Sequence, residues 1–126
     1  MVYSYIAVAI GAILGALCRF ILFNIFNYVA CPIHIGILLS NWIGCYSAGL
    51  IIPILKHLDP HIYLFLITGF LGSLTTFSAF SIEFWTLLLS KNYFNMLLSI
   101  TGHVLGSLFM TGLGIATMRF VNFHTL

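Results

Sequence analysis

The sequence predicts an all-α membrane protein in which four transmembrane helices, the third of them broken, make one domain over residues 1–126. Three observations carry this. The chain is 62% hydrophobic and 5% charged, with a mean hydropathy of +1.17, whereas soluble domains hold about 25% charged residues. Its 126 residues divide into four apolar runs, and a spanning helix needs about 20 residues. The third of these runs is interrupted by glycines and hydroxyl residues.

Four spans with short turns leave no room for a soluble domain, so function has to reside in the spans. The net charge of +2 comes from Arg19, Lys56, Lys91 and Arg119 against Asp59 and Glu83. Nucleic-acid surfaces and polybasic lipid patches need clustered Lys and Arg, and both are excluded as partners. Cys18, Cys31 and Cys45 show no metal-binding spacing and read as small apolar fillers. No convincing nucleophile and base pair suggests an enzyme.

The first span covers about residues 3–26. It has no basic residue ahead of its apolar core, so it reads as a retained helix rather than a signal peptide. Gly11 and Gly15, flanked by Ala12 and Ala16, form a small-residue face suited to close helix contact. Arg19 either snorkels to the boundary or faces a water-filled vestibule that attracts anions. The stretch from Asn27 to Ile35 is the first turn, with His34 a boundary histidine.

The second span covers about 36–55. Asn41 needs partners at membrane depth: it either bonds two helices together or offers its amide donors to a pore. Gly44 and Ala48 give another small-residue face, and Pro53 kinks or finishes the helix. KHLDP at 56–60 is a polar turn whose histidines and acid read as solvated rather than metal-binding.

The third run, about 62–89, is long for one straight crossing of roughly 30 Å. Gly69 and Gly72 loosen it, while Ser73, Thr75, Thr76, Ser78 and Ser81 bring hydroxyls that can satisfy freed carbonyls or bind an ion. The expectation is a half-helix to about Gly72, an unwound link, and a second half from about Thr76. Phe77, Phe80 and Glu83 follow at intervals of three on or near one line. The phenylalanines either pack as core or border an ion pathway, which the adjoining break and hydroxyls favour.

After a turn at Ser90 to Asn95, the fourth span covers about 96–120. His103, Ser107 and Thr111 recur every four residues on one face. Single Ser and Thr residues often bond back to their own helix, but a row that includes histidine suggests a lined path. Gly102 and Gly106 offer a further close-packing face. Lys56 and Arg119 fall on one side of the membrane, Lys91 on the other, and Arg19 points towards the latter. Orientation follows such bias, and two against two gives none. Four short helices also enclose a polar path poorly, so a dimer is expected, plausibly antiparallel.

Three motifs, GAILGALCRF at 11–20, GILLSNWIGCYSAG at 36–49 and GFLGSLTTFSAF at 69–80, together resemble the CrcB/Fluc family of fluoride channels, over nearly the whole chain. The resemblance implies an antiparallel, dual-topology homodimer with two pores that exports toxic fluoride passively across the plasma membrane, the inner membrane in a bacterium. It implies that Asn41 faces the pore, that Phe77 and Phe80 line the fluoride path, and that the fourth-span row is a polar track with Glu83 beside it. It also implies a structural Na+ at the dimer centre, held by backbone carbonyls at Gly72 and Thr75, and a vestibule at Arg19. The chain departs from the family pattern at Ala12, Ile37 and His103, where glycine, threonine and tyrosine are usual. The competing reading is a small dual-topology, proton-coupled multidrug exporter. Such a carrier is expected to hold an acid in its first span, which has none here; Glu83 is the candidate coupling acid.

Overall fold

In the computed structural model, which describes residues 1–26 and 31–124, the chain is helical throughout. Four helices are long and apolar enough to cross a membrane: Val2–Phe26, Ile35–His57, Pro60–Leu89 and Tyr93–Val121. The expected first turn lies partly outside the described residues, Asn27 among them.

Local chemistry sets where the helices change character. The second span is α-helical over Ile35–Ile51 and tightens to a 3-10 helix at Ile52–His57, where Pro53 sits in the first turn and lacks a backbone N–H. Asp59 then caps the third span. Its carboxylate accepts the His61 N–H at 2.8 Å and Pro60 takes a first-turn position, the standard helix-starting arrangement. The His61 hydrogen bond holds the Asp59 carboxyl below its usual range.

The third span widens to π-helical turns over Leu64–Leu71, returns to α over Gly72–Leu74, and resumes as an α-helix at Phe77–Leu89. Between these, Thr75 (φ −82°, ψ 152°) and Thr76 (φ −149°, ψ 124°) are extended. Thr76 caps the following helix through its side chain, which accepts the Ala79 N–H. That helix ends at Lys91, a left-handed residue with φ 58°. The Asn92 N–H reaches back to Leu87 O at 2.9 Å and the Lys91 N–H to Leu88 O at 3.0 Å, a Schellman closure that glycine usually makes.

The fourth span runs α over Tyr93–Ile100, π-helical over Thr101–Gly106, and α again over Ser107–His124.

Small residues draw the spans together. A Cβ on Gly11 would collide with Phe65 O, and one on Gly69 would lie 3.0 Å from Gly11 Cα, so the first and third spans touch backbone to backbone. Gly49 and Gly114 do the same for the second and fourth spans. The Gly102 and Gly106 face differs from expectation. It seats the Trp42 indole, whose Nε1 donates to Gly102 O at 2.9 Å, so a flat side chain fills the space instead of a second helix backbone.

The apolar core is slight, with Ile33, Leu71, Leu74, Phe80 and Leu87 buried, while many large apolar side chains face outward. That inversion suits a lipid surround, where packing between small residues rather than water exclusion holds helices together. Among the described residues the buried polar ones are Ser40, Asn41, Thr76, Glu83, Ser99 and His103, and five of these six converge on one site.

Candidate functional site

The extended pair Thr75–Thr76 presents backbone polar groups to the second span, and Asn41 meets them. The Thr76 N–H donates to Asn41 Oδ1 at 2.8 Å, and Asn41 Nδ2 donates to Thr76 O at 3.1 Å. In an unbroken helix the Thr76 N–H would be directed at the carbonyl of Gly72. Asn41 therefore stands in for a helical turn, and both its amide groups are fixed in direction.

That fixed direction decides the state of His103. Asn41 Nδ2 lies 3.0 Å from His103 Nδ1, and since Nδ2 carries only donors, Nδ1 is the acceptor. The neutral ring then holds its proton on Nε2. No hydrogen-bond partner reaches this buried nitrogen among the described residues. Glu83 Oε1 is the nearby charge, at 3.8 Å, beyond hydrogen-bond range.

Glu83 is 3% exposed and fully engaged. Oε1 accepts from Ser99 Oγ at 2.5 Å, and Oε2 accepts from the His34 N–H at 2.6 Å with His34 Nδ1 at 2.8 Å. Hydrogen bonds to both oxygens stabilise a carboxylate at a depth where a bare charge would be costly. His34, read from sequence as a boundary residue, thus anchors the buried acid, and its half-exposed ring stacks on Phe23 at 5.9 Å.

A cavity of about 360 Å³ opens beside this network, lined by Asn41, Thr75, Thr76, Phe77, Phe80 and His103, with Ser107 and Cys45 also on its wall. The Phe80 ring is buried, 4.9 Å from the His103 ring and 5.3 Å from the Phe77 ring, which it meets at 67°. Aromatic edges carry partial positive charge. The cavity wall thus combines the Ser107 hydroxyl with aromatic ring edges around the clamped Asn41 and His103, a lining suited to a small anion and without a full cation at its narrow part.

Of the other residues singled out in the sequence, Ser107 lines the cavity but Thr111 does not; its hydroxyl bonds back to Ser107 O at 3.0 Å. The π-helical turns over Thr101–Gly106 alter the α-helical phase on which an every-fourth row depends. Ser81 likewise bonds back, to Phe77 O at 3.0 Å, and Ser78 pairs with Thr76 Oγ1 at 3.0 Å. Neither belongs to the cavity wall.

Thr75 directs its hydroxyl to Leu71 O at 2.9 Å, and its methyl fills the space over Gly44. Gly72 is exposed. Arg19 borders a separate space of about 400 Å³ with Ala16, Phe20, Phe23 and Ile37.

Sequence reasoning missed two members of the network. Ser99 carried a signal, lying four residues before His103 on the same helix. His34 carried none, because 49 positions separate it from Glu83.

Residues 6–115 match the family described as CrcB-like protein, Camphor Resistance (CrcB). Among curated relatives, the chain is 44% identical over 117 residues to a fluoride-specific ion channel FluC from Chromohalobacter salexigens, covering 90% of this chain and 89% of that one. A protein of the same name from Acinetobacter baumannii (strain AYE) is 40% identical over 126 residues, covering 98% of this chain and all of that one. One from Tolumonas auensis is 44% identical over 121 residues, covering 94% and 95%.

Proposed function

The chain belongs to the CrcB-like family, and from that premise we propose that it is a fluoride-specific ion channel, a multi-pass protein of the plasma membrane through which fluoride leaves passively. The observation that carries the reading is the cavity lined by Asn41, Phe77, Phe80, His103 and Ser107, in a chain whose curated relatives are named for fluoride.

Fluoride is small and strongly hydrated, so its path must replace water with other donors. The Ser107 hydroxyl lies at the wall, the edges of Phe77 and Phe80 supplement it, and Asn41 and His103, clamped to each other and to Thr76, fix the wall's shape. In this reading Ser78, Ser81 and Thr111 act through helix structure rather than by touching the ion. Glu83 positions the site from behind by holding Ser99 and His34, and Arg19 draws anions towards the entrance. No step requires a catalyst.

The path needs a second copy. Phe77 is 74% exposed beside the cavity, and one protomer leaves that aromatic wall uncovered. The reading is therefore an antiparallel homodimer of dual topology, consistent with the balanced Lys and Arg count.

The third span is read as a broken helix whose interruption holds a structural Na+ at the dimer centre. The donor chemistry fits. Because the Thr76 N–H is taken by Asn41, the Gly72 carbonyl is released from helical pairing, and Thr75, in extended backbone, turns its carbonyl out of the helix. Gly72 and Thr75 would hold the cation through these oxygens. When bound, it supplies fixed positive charge without a side-chain cation.

Fluoride and chloride efflux from liposomes containing the purified protein tests the function. Rapid fluoride efflux without a pH gradient, and none for chloride, is expected. Proton-coupled drug transport without fluoride flux would overturn it.

A further inference from the structure

We propose that His103 makes permeation proton-sensitive: as a neutral ring it accepts from Asn41 through Nδ1, and on taking a second proton there it breaks the Asn41 clamp and slows fluoride. The proposal rests on the fluoride-channel reading above and concerns regulation of the same site.

The geometry begins with Asn41. Its Oδ1 is committed to the Thr76 N–H at 2.8 Å and its Nδ2 faces His103 Nδ1 at 3.0 Å. A proton on Nδ1 would set two donors against each other, and neither can accept. Rotating the Asn41 amide would relieve that clash, but it would then face the Thr76 N–H with a donor and Thr76 O with an acceptor. The alternative is withdrawal of the ring, which Phe80 obstructs at 4.9 Å. Either response unfastens the second span from the extended link.

The second effect acts in the same direction. An imidazolium in the cavity wall would place a full cation beside a dehydrated anion, and conduction requires binding weak enough to permit departure. Clamp loss and ion trapping both lower flux as pH falls.

The second proton goes to Nδ1, because Nε2 already carries one. His34 is half-exposed and lies 2.8 Å from Glu83 Oε2, while Glu83 Oε1 lies 3.8 Å from His103 Nε2. These are the titratable groups that face the ring: Glu83 from the third span, with His34 behind it. Asn41, on the second span, is uncharged.

The experiment is initial fluoride efflux from proteoliposomes between pH 7.5 and 4.5, corrected for protein-free vesicles. Wild type should follow a single-proton decline of about tenfold, as expected for conversion of one histidine between its charge states. His103→Gln places an amide oxygen towards Asn41 and does not titrate; its efflux should be flat with pH. His103→Tyr, a donor that does not titrate in this range, gives the same test with a bulkier ring. In parallel, 15N signals of labelled wild-type protein, assigned by their loss in either variant, should show Nδ1 bare at pH 7.5 and protonated at pH 4.5.

A flat wild-type curve, or the same decline in a His103 variant, would overturn the proposal. So would a bare Nδ1 at pH 4.5. Absence of fluoride efflux at pH 7.5 would instead remove the channel reading on which it stands.

Discussion

Asn41 and Thr76 are bonded twice, donor to acceptor in both directions, at 2.8 and 3.1 Å. The side chain of one span thereby completes the backbone of another. An aspartate could accept the Thr76 N–H but could donate neither to Thr76 O nor to His103, and would bring negative charge to an anion path. Asn41→Asp is expected to reduce fluoride efflux to background while the protein keeps the elution position of the wild type in size-exclusion chromatography. Wild-type efflux in this variant would refute the pore assignment.

The two phenylalanines are expected to behave alike in transport and differently in stability. Phe80 is 8% exposed and Phe77 is 74% exposed in the protomer. Phe80→Ile should abolish flux by removing the ring edge beside His103, and should lower thermal stability by about 1–3 kcal/mol through the altered core shape. Phe77→Ile should impair flux with little effect on protomer stability. Equal destabilisation by both would contradict the packing described.

Glu83 accepts hydrogen bonds from Ser99 and His34 on separate oxygens. A glutamine at this position keeps one acceptor oxygen for the His34 N–H, while its NH2 turns the Ser99 hydroxyl into an acceptor and leaves the buried Ser99 O–H without one. The cost of a buried unsatisfied donor is about 1–3 kcal/mol. Thermal unfolding of Glu83→Gln in detergent should show a loss of that order, and His34→Ala should show a smaller loss, since the His34 backbone N–H still reaches the carboxylate.

Gly11 and Gly112 provide an internal contrast. A Cβ at Gly11 would meet the Phe65 carbonyl and lie 2.9 Å from Phe70 N, whereas nothing lies within 4 Å of one at Gly112. Gly11→Ala should force the first and third spans apart and cost about 1–3 kcal/mol. Gly112→Ala should be neutral or stabilising by up to about 1 kcal/mol, from helix propensity. Equivalent melting shifts would argue against the close crossing.

Lys91 is left-handed, with φ 58°, in a closure that glycine would make without strain. Lys91→Gly should raise thermal stability by about 1 kcal/mol. A lowered melting point would show that the lysine side chain contributes more than its backbone costs.

Much of the candidate site was legible in the sequence because a polar residue stands out in an apolar run. Asn41, Glu83 and His103 were each conspicuous for that reason, and each is buried in the network. Periodicity was a weaker guide. It brought Ser107 to the cavity but not Thr111, because the π-helical turns over Thr101–Gly106 break the 3.6-residue count. Ser78 and Ser81 were conspicuous too, yet their hydroxyls are used locally, as serine in a helix often is. The small-residue patterns were read correctly at Gly11 and Gly15. At Gly102 and Gly106 they concealed an indole, since the absence of side chains does not say what fills the space.

The sequence by itself determined that this is a helical membrane protein with four apolar helices, because only helices satisfy every backbone group within one segment of an apolar chain. It also determined which polar residues had to find partners. Only the tertiary structure decided who those partners are. Asn41 closes on Thr76, His103 turns Nδ1 to Asn41 and Nε2 away, and Glu83 is held by His34 and Ser99. Those pairings join residues on different spans, so their choice depends on how helices approach and rotate, which no local pattern encodes. The consequence, a histidine fixed in one tautomer by its neighbour, exists only after the spans have met.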